Sequence, residues 1–136
     1  MKSLCQLIFA SVVLLAVFSC SKDDGDSVNP GGTASFLGSF ISSAHPTSGT
    51  ATVNKDQTLL SLAQFKTDSG PALNIYLASD INNVEGDYID LGVIKGVNGN
   101  YVYDLPTSTD FADYKYVVVW CVAFHVNFGY AELEKQ

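Results

Sequence analysis

The sequence contains no arginine, a single methionine and few charges. All seven basic residues are Lys, fourteen residues are Asp or Glu, and the net charge is -7. Surfaces that bind nucleic acid neutralise phosphates with clusters of Arg and Lys, so we expect no nucleic-acid partner. Charged residues make up 15% of the chain and apolar residues 47%, which suits a packed core and is too apolar for a disordered chain.

The first twenty residues have the pattern of an export signal. Lys2 precedes an uncharged apolar stretch from Leu7 to Phe18, which is long enough for a signal-peptide core and short for a transmembrane helix. The stretch ends in VFSC (residues 17–20), which resembles a bacterial lipobox with Val where Leu is commoner. We therefore expect residues 1–19 to be a lipoprotein signal peptide and Cys20 to be lipidated. The alternative is an ordinary secretory signal with a chance Cys.

Residues 20–33 are polar, acidic and rich in Gly, Pro and Ser, which predicts a flexible tether after the lipidated Cys20. Lys22-Asp23-Asp24 resembles the short acidic export signal of surface-exposed lipoproteins in some Gram-negative groups, although a plain solvated linker fits the same residues. Acyl chains on Cys20 would attach the protein firmly to a membrane. We expect a lipid-anchored protein of the cell envelope at the outer membrane, and surface exposure if the acidic segment is an export signal.

Residues 34–136 are predicted to form one all-β domain of about eight strands. Short segments of alternating hydrophobicity are separated by turn residues, a pattern typical of a β-sandwich or a barrel-like domain. The predicted strands cover residues 34–43, 50–54, 58–65, 72–78, 88–94, 101–105, 114–124 and 126–134. Residues 109–113 are predicted to form one helical turn, and no long helical periodicity follows the signal.

The segment VVVWCVAF (residues 117–124) is apolar at both odd and even positions. A strand of this kind is central and covered on both faces. In a two-layer fold, one of the two covers is expected to be a loop, a partner protein or a bound group.

Cys121 is the only cysteine expected to remain as a free thiol, because Cys5 leaves with the signal and Cys20 carries lipid. Such a thiol is either buried and inert, or it is used for chemistry. His125 lies four residues further on, a separation of about 13 Å in a strand. One metal ion cannot span that distance unless a bulge intervenes, and we predict no metal site. His45 lies in a loop before Pro46, from which the fold can bring it to Cys121.

Several short motifs occur in order along nearly all of residues 34–134, and together they resemble the DM-thirteen domain. This is an electron-transfer-like β domain found beside DOMON domains in animal and bacterial envelope proteins. The motifs are GSF (38–40), HPTSGTA (45–51), GPALNIYL (70–77), LGVIKG (91–96), GNYVYDLP (99–106), VWCVAF (119–124) and FGYAEL (128–133).

The resemblance implies a role for Cys121, because a single Cys in the penultimate strand is the hallmark of the family. It implies redox work, either by a bare thiol or through a bound group such as haem with Cys121 as its ligand. His45 matches a recurrent family position and is a candidate neighbour that favours the thiolate. The only Met is Met1, so a His/Met haem site within the mature chain is excluded. The redox partner or ligand is not identified.

A non-catalytic module for binding or interaction at the cell surface is the alternative reading of the same residues. Sandwich-like folds commonly serve this purpose, and the seven Tyr residues suit contact surfaces. In this reading Cys121 is a structural, buried core residue.

Overall fold

The computed structural model describes residues 33–136, so the predicted signal (1–19) and nearly all of the predicted tether (20–33) lie outside the described residues. The described part is all-β, with antiparallel strands and no helix. The strands are β1 (Ala34–Ser42), β2 (Thr47–Asn54), β3 (Leu59–Thr67), β4 (Leu73–Ala78), β5 (Tyr88–Val93), β6 (Asn98–Asp104), β7 (Tyr116–Cys121), β8 (Val126–Glu132) and β9 (Glu134–Lys135). Within residues 33–136, nothing helical is long and apolar enough to cross a bilayer.

All the strands belong to one sheet in the order β5-β4-β7-β8-β1-β2-β3-β6, and β9 also pairs with β1. The two edge strands, β5 and β6, follow each other in the chain and are joined only by residues 94–97. A link of that length spans at most about 18 Å, so the edges approach each other and the sheet curls into a half-barrel. The prediction of an all-β, barrel-like domain is confirmed.

The inner face of the curled sheet holds the main core. Leu73, Ile75 and Leu77 of β4 point inward while Tyr76 points outward, as the alternation in the sequence predicts. Burying this face removes apolar surface from water, which is the main favourable contribution to folding. The fully buried inner-face side chains include Val53, Leu60, Leu62, Phe65, Ile75, Leu77, Tyr103, Val117, Val119 and Cys121.

The outer face of β4 and β7 is also covered, as the two-sided hydrophobicity of β7 predicts. Val118 and Trp120 of β7 form a second buried cluster with Tyr76, Ala78 and Val84. Val84 belongs to the β4–β5 loop (residues 79–87), and Ile81 of the same loop packs against the cluster. Of the three covers considered from the sequence, the structure shows a loop.

Strand β7 is shorter than predicted, because it ends at Cys121 rather than at Phe124. Residues 122–125 form the turn of a hairpin, and Cys121 pairs directly with Val126 of β8. The prediction of a strand to Phe124 was wrong because the residues of this turn are apolar, although Phe124 is 69% exposed. The separation of about 13 Å between Cys121 and His125, estimated for a continuous strand, therefore does not apply.

Strand β8 departs from simple alternation at Phe128. The sequence pattern places Phe128 on the same face as Tyr130, but the structure buries Phe128 in the inner core. The cause is a register shift opposite Val119 and Trp120, since a bulge re-aims the side chain it contains. The predicted single strand 126–134 is also interrupted at Leu133, after which β9 pairs with β1.

The predicted helical turn at residues 109–113 is present only as an isolated turn. The backbone N–H of Tyr114 donates to the carbonyl of Asp110 over 2.8 Å, and the N–H of Ala112 donates to Asp110 Oδ1 over 2.9 Å. One such bond fixes several residues and does not nucleate a helix unless it is continued. Asp110 therefore caps this turn.

Candidate functional site

Cys121 lies on the inner face at the end of β7, and its exposed fraction is 0%. Its register neighbours are Leu73 of β4 and Val126 of β8. The N–H of Val122 donates to the carbonyl of Ala72 over 2.8 Å, which fixes the end of β7 to β4. Within residues 33–136, no hydrogen bond or ion pair reaches the sulfur. Cys121 is a free thiol in an apolar environment.

The β1–β2 loop (residues 43–46) is fixed to β8 at this end of the half-barrel. The backbone N–H groups of Ser43 and His45 both donate to the carbonyl of Phe128, over 2.9 and 3.1 Å. The N–H of Ala44 donates to the carbonyl of Asn127 over 3.0 Å. These bonds place His45 over Phe128, which is itself 4% exposed and shares the inner core with Cys121.

The imidazole of His45 is fixed by Phe128 and Asp68. Its ring stacks on the Phe128 ring with centroids 3.8 Å apart, and Nδ1 lies 3.0 Å from Asp68 Oδ2. In the β3–β4 loop, Gly70 packs so closely that a Cβ there would lie 3.0 Å from both Phe128 and Leu73. We call His45, Asp68, Gly70 and Phe128 the cap. His45 and Asp68 are partly exposed, whereas Phe128 belongs to the inner core, so the cap adjoins the core at this end.

The structure does not bring His45 and Cys121 into a bonded pair. Among the described residues, the hydrogen bond and ring contact of His45 go to Asp68 and Phe128. His45 therefore contacts Phe128, which shares the inner core with Cys121, rather than the thiol itself. The role of both residues in redox chemistry stays a prediction.

Thr47 holds the base of the cap together. Its buried hydroxyl lies 3.2 Å from the carbonyl of His45, 3.1 Å from Thr67 Oγ1 and 3.3 Å from the carbonyl of Phe128. Gly129 makes room for it, because a Cβ there would lie 2.3 Å from the Thr47 side chain. Sequence reasoning missed Thr47 and the cap. Thr47 lies in the motif HPTSGTA, and Phe128 and Gly129 lie in the motif FGYAEL. The sequence does not show that these two motifs are in contact.

A haem does not fit at Cys121 in this structure. The thiol is enclosed by packed apolar side chains of the inner core, and such interiors have few voids larger than a water molecule. An open depression of about 550 Å³ lies instead between Phe36, Phe111 and Lys135, and neither Cys121 nor His45 lines it. In the described part of the chain, no three His, Cys, Asp or Glu residues gather as metal ligands.

The outer face of the sheet carries a row of contacting aromatic side chains. Tyr88 stacks on Tyr76 with ring centroids 4.3 Å apart, and Tyr76 stacks on Trp120 at 6.2 Å. We call Tyr88, Tyr76 and Trp120 the outer aromatic row. Burial, followed by the charge of Asp90, raises the pKa of Tyr76 to about 12.

Glu85 lies at the Trp120 end of the outer aromatic row. The indole N–H of Trp120 donates to Glu85 Oε1 over 3.3 Å, and His125 Nδ1 lies 2.8 Å from the same oxygen. His125 thus bonds on the outer side of the sheet, away from the thiol of Cys121.

Residues 39–133 match the family model described as Electron transfer DM13. The match covers well over half of the sequence, and the chain belongs to this family. The predicted membership is confirmed, and it identifies residues 39–133 as a domain of an electron-transfer family. No curated protein and no solved structure matches the chain significantly.

Proposed function

We propose that this chain is an electron-transfer lipoprotein of the cell envelope in which Cys121 is the redox-active thiol. One observation carries the proposal: the free thiol of an electron-transfer domain lies at the end of its strand, beside Leu73, and Leu73 and Phe128 both pack against Gly70 of the cap. Loops open at lower free energy than the centre of a sheet. The cap therefore protects the sulfur and gives it a route to a partner.

The chemistry is thiol–disulfide exchange with a disulfide-bearing partner of the envelope. After the cap opens, the Cys121 thiol loses its proton to water. The thiolate attacks one sulfur of the partner's disulfide, that S–S bond breaks, and the second sulfur leaves as a thiolate. The product is a mixed disulfide at Cys121, and the leaving thiolate takes up the proton. The partner's disulfide is reduced as the Cys121 sulfur is oxidised.

Mixed disulfides trapped in cells test this proposal. Cells expressing the full chain are quenched with acid, alkylated, and analysed on non-reducing gels. We expect a higher-mass species that reductant removes and that Cys121→Ser abolishes, while His125→Gln leaves it in place. If wild type and Cys121→Ser give the same species, or none, the thiol role is wrong.

We also propose that residues 1–19 direct export and that lipid on Cys20 anchors the protein at the outer membrane. The pattern of the VFSC segment supports this. Cys20→Ala is expected to shift the protein from the membrane fraction to the soluble fraction, because the acyl chains supply the attachment. Cys121→Ala is the matched control and should remain in the membrane fraction. Equal membrane retention of both variants would contradict the anchor.

A binding module with a structural Cys121 is the second candidate function, and the complete burial of the thiol favours it. Here Cys121→Ser is expected to lower the free energy of unfolding by about 1–3 kcal/mol, because it buries a hydroxyl without a partner. Cys121→Ala should cost about 1 kcal/mol, since it leaves only a small cavity. Urea denaturation measures both values. If Cys121 is structural, each variant should lose binding only to the extent that it unfolds. The redox proposal instead requires both variants to lose mixed-disulfide formation even when they are folded.

A further inference from the structure

The outer aromatic row joins the protein surface to a buried indole through ring contacts. Tyr88 is 40% exposed, whereas Tyr76 and Trp120 are buried under the β4–β5 loop. We propose that this row is a one-electron relay, along which an oxidising equivalent moves from Tyr88 at the surface to Trp120. The row lies on the face of β7 opposite Cys121, so the proposal does not rest on the thiol chemistry.

The geometry of the rings suits stepwise electron transfer. The Tyr88 and Tyr76 rings are 4.3 Å apart and inclined by 15°, and the Tyr76 and Trp120 rings are 6.2 Å apart and inclined by 22°. These are contact distances for aromatic pairs, and the near-parallel planes are those of offset stacking. Phenol and indole are the protein side chains, besides thiols, that lose one electron most readily.

Negative charge along the row favours a positive hole on its rings. Asp90 and Glu85 both act on Tyr76, and Glu85 also accepts the indole N–H of Trp120. Both carboxylates are exposed, so water and salt screen part of their charge, whereas the rings of Tyr76 and Trp120 are buried. Lys side chains contact other rings of the domain: Lys95 lies over Tyr103 and Lys115 over Tyr116.

Glu85 supplies the proton acceptor that oxidation of the indole requires. A one-electron oxidant, which is a metal complex in its oxidised state, takes an electron from the row and is itself reduced. The hole reaches Trp120, whose indole N–H then gives its proton to Glu85 along the existing hydrogen bond. One electron from a reductant restores the indole and the proton returns. His125, 2.8 Å from Glu85, holds the carboxylate in position.

Flash photolysis with a ruthenium(III) polypyridyl complex as the oxidant tests the relay in the purified full chain. Transient absorption distinguishes tyrosyl from tryptophanyl radicals. We expect wild type to form a Trp120 radical and Tyr76→Phe to reduce its yield at least tenfold, since Phe preserves the packing but is far harder to oxidise. Tyr101→Phe is the matched control, because Tyr101 packs on Phe65 and the inner core, away from the row, and it should keep the wild-type yield.

Three further variants test the entry point of the row, the proton acceptor and the independence from Cys121. Tyr88→Phe interrupts the row at its exposed end and should also lower the yield, which keeps the test valid if Tyr76→Phe folds poorly. Glu85→Gln should leave the radical as a protonated cation, a spectrally distinct species, because the amide does not take the proton. Cys121→Ser should have no effect on the yield, even if the thiol proposal fails. A wild-type yield in both Tyr76→Phe and Tyr88→Phe would overturn the relay.

Discussion

Replacing Phe128 with Ala is expected to lower the free energy of unfolding by about 3–5 kcal/mol. The same change should raise the rate at which a thiol reagent modifies Cys121 in the folded protein by roughly a hundredfold, which corresponds to about 3 kcal/mol. Phe128 is the element of the cap that both loops contact: it stacks on His45 and packs against Gly70. Without its ring, His45 loses its support and the loops open more readily.

Leu60→Ala is the control for this prediction. Leu60 is also fully buried in the main core, but it pairs with Val53 and Tyr103 near the opposite end of the half-barrel. The variant should lose about 2–5 kcal/mol of stability. The labelling rate of Cys121 should rise only in proportion to the increased fraction of unfolded protein. Urea denaturation and the labelling rate are measured on both variants. Equal labelling rates after correction for unfolding would refute the specific role of Phe128.

Gly38→Ala is expected to lower the free energy of unfolding by about 3 kcal/mol, at the upper end of the usual cost of overpacking. A Cβ at Gly38 would lie 2.2 Å from the carbonyl oxygen of Glu132. This contact is with backbone, so no side chain can rotate away to relieve it. It occurs where β1 changes its partner from β8 at residues 40–42 to β9 at residues 36–37.

Gly92→Ala separates this steric effect from backbone strain. Gly92 has a φ of +102°, yet a Cβ there would meet nothing within 4 Å. Its substitution should cost only about 1–2 kcal/mol, the price of a left-handed conformation for a residue with a side chain. Chemical denaturation of both variants gives the comparison. If Gly38→Ala costs no more than Gly92→Ala, the close approach of β1 to the Glu132 carbonyl does not restrict residue 38 to glycine.

The sequence predicted the fold class and the faces of the central strands because the side-chain period of a strand is a local property. The alternation of Leu73, Ile75 and Leu77 put these residues on one face. In β7 the same rule separated Cys121 from Trp120 without showing which of the two points inward, and the structure places Cys121 inside. The cover on the outer face of β7 was expected from its hydrophobicity, but its identity as the β4–β5 loop was not.

The features that the sequence did not predict depend on contacts between residues far apart in the chain. Hydrophobicity could not show that Val122 and Phe124 belong to a turn, because an apolar residue can be exposed, as these two are. The bulge that turns Phe128 inward is set by its pairing with β7. The contacts that build the cap join His45 to Asp68 and to Phe128, and those at the outer face join Glu85 to His125. Only the sheet topology brings these pairs together.

The two proposed sites lie on opposite faces of β7. Cys121 points into the inner core beneath the cap, and its chain neighbour Trp120 points outward to Glu85. Adjacent strand residues lie on opposite faces, so a thiol and an indole one residue apart are separated by the sheet. Substitutions at one site should therefore leave the other site's chemistry intact.

The denaturant dependence of Cys121 labelling tests the central claim most directly. A thiol reagent is applied to the purified protein over a range of low urea concentrations, and peptide mass mapping confirms that the label is on Cys121. If the cap opens locally, the labelling rate is nearly independent of urea and gives an opening free energy well below that of global unfolding. We predict this result. A labelling rate that rises with the full urea dependence of unfolding, and gives the global free energy, would contradict the account and make Cys121 a structural residue.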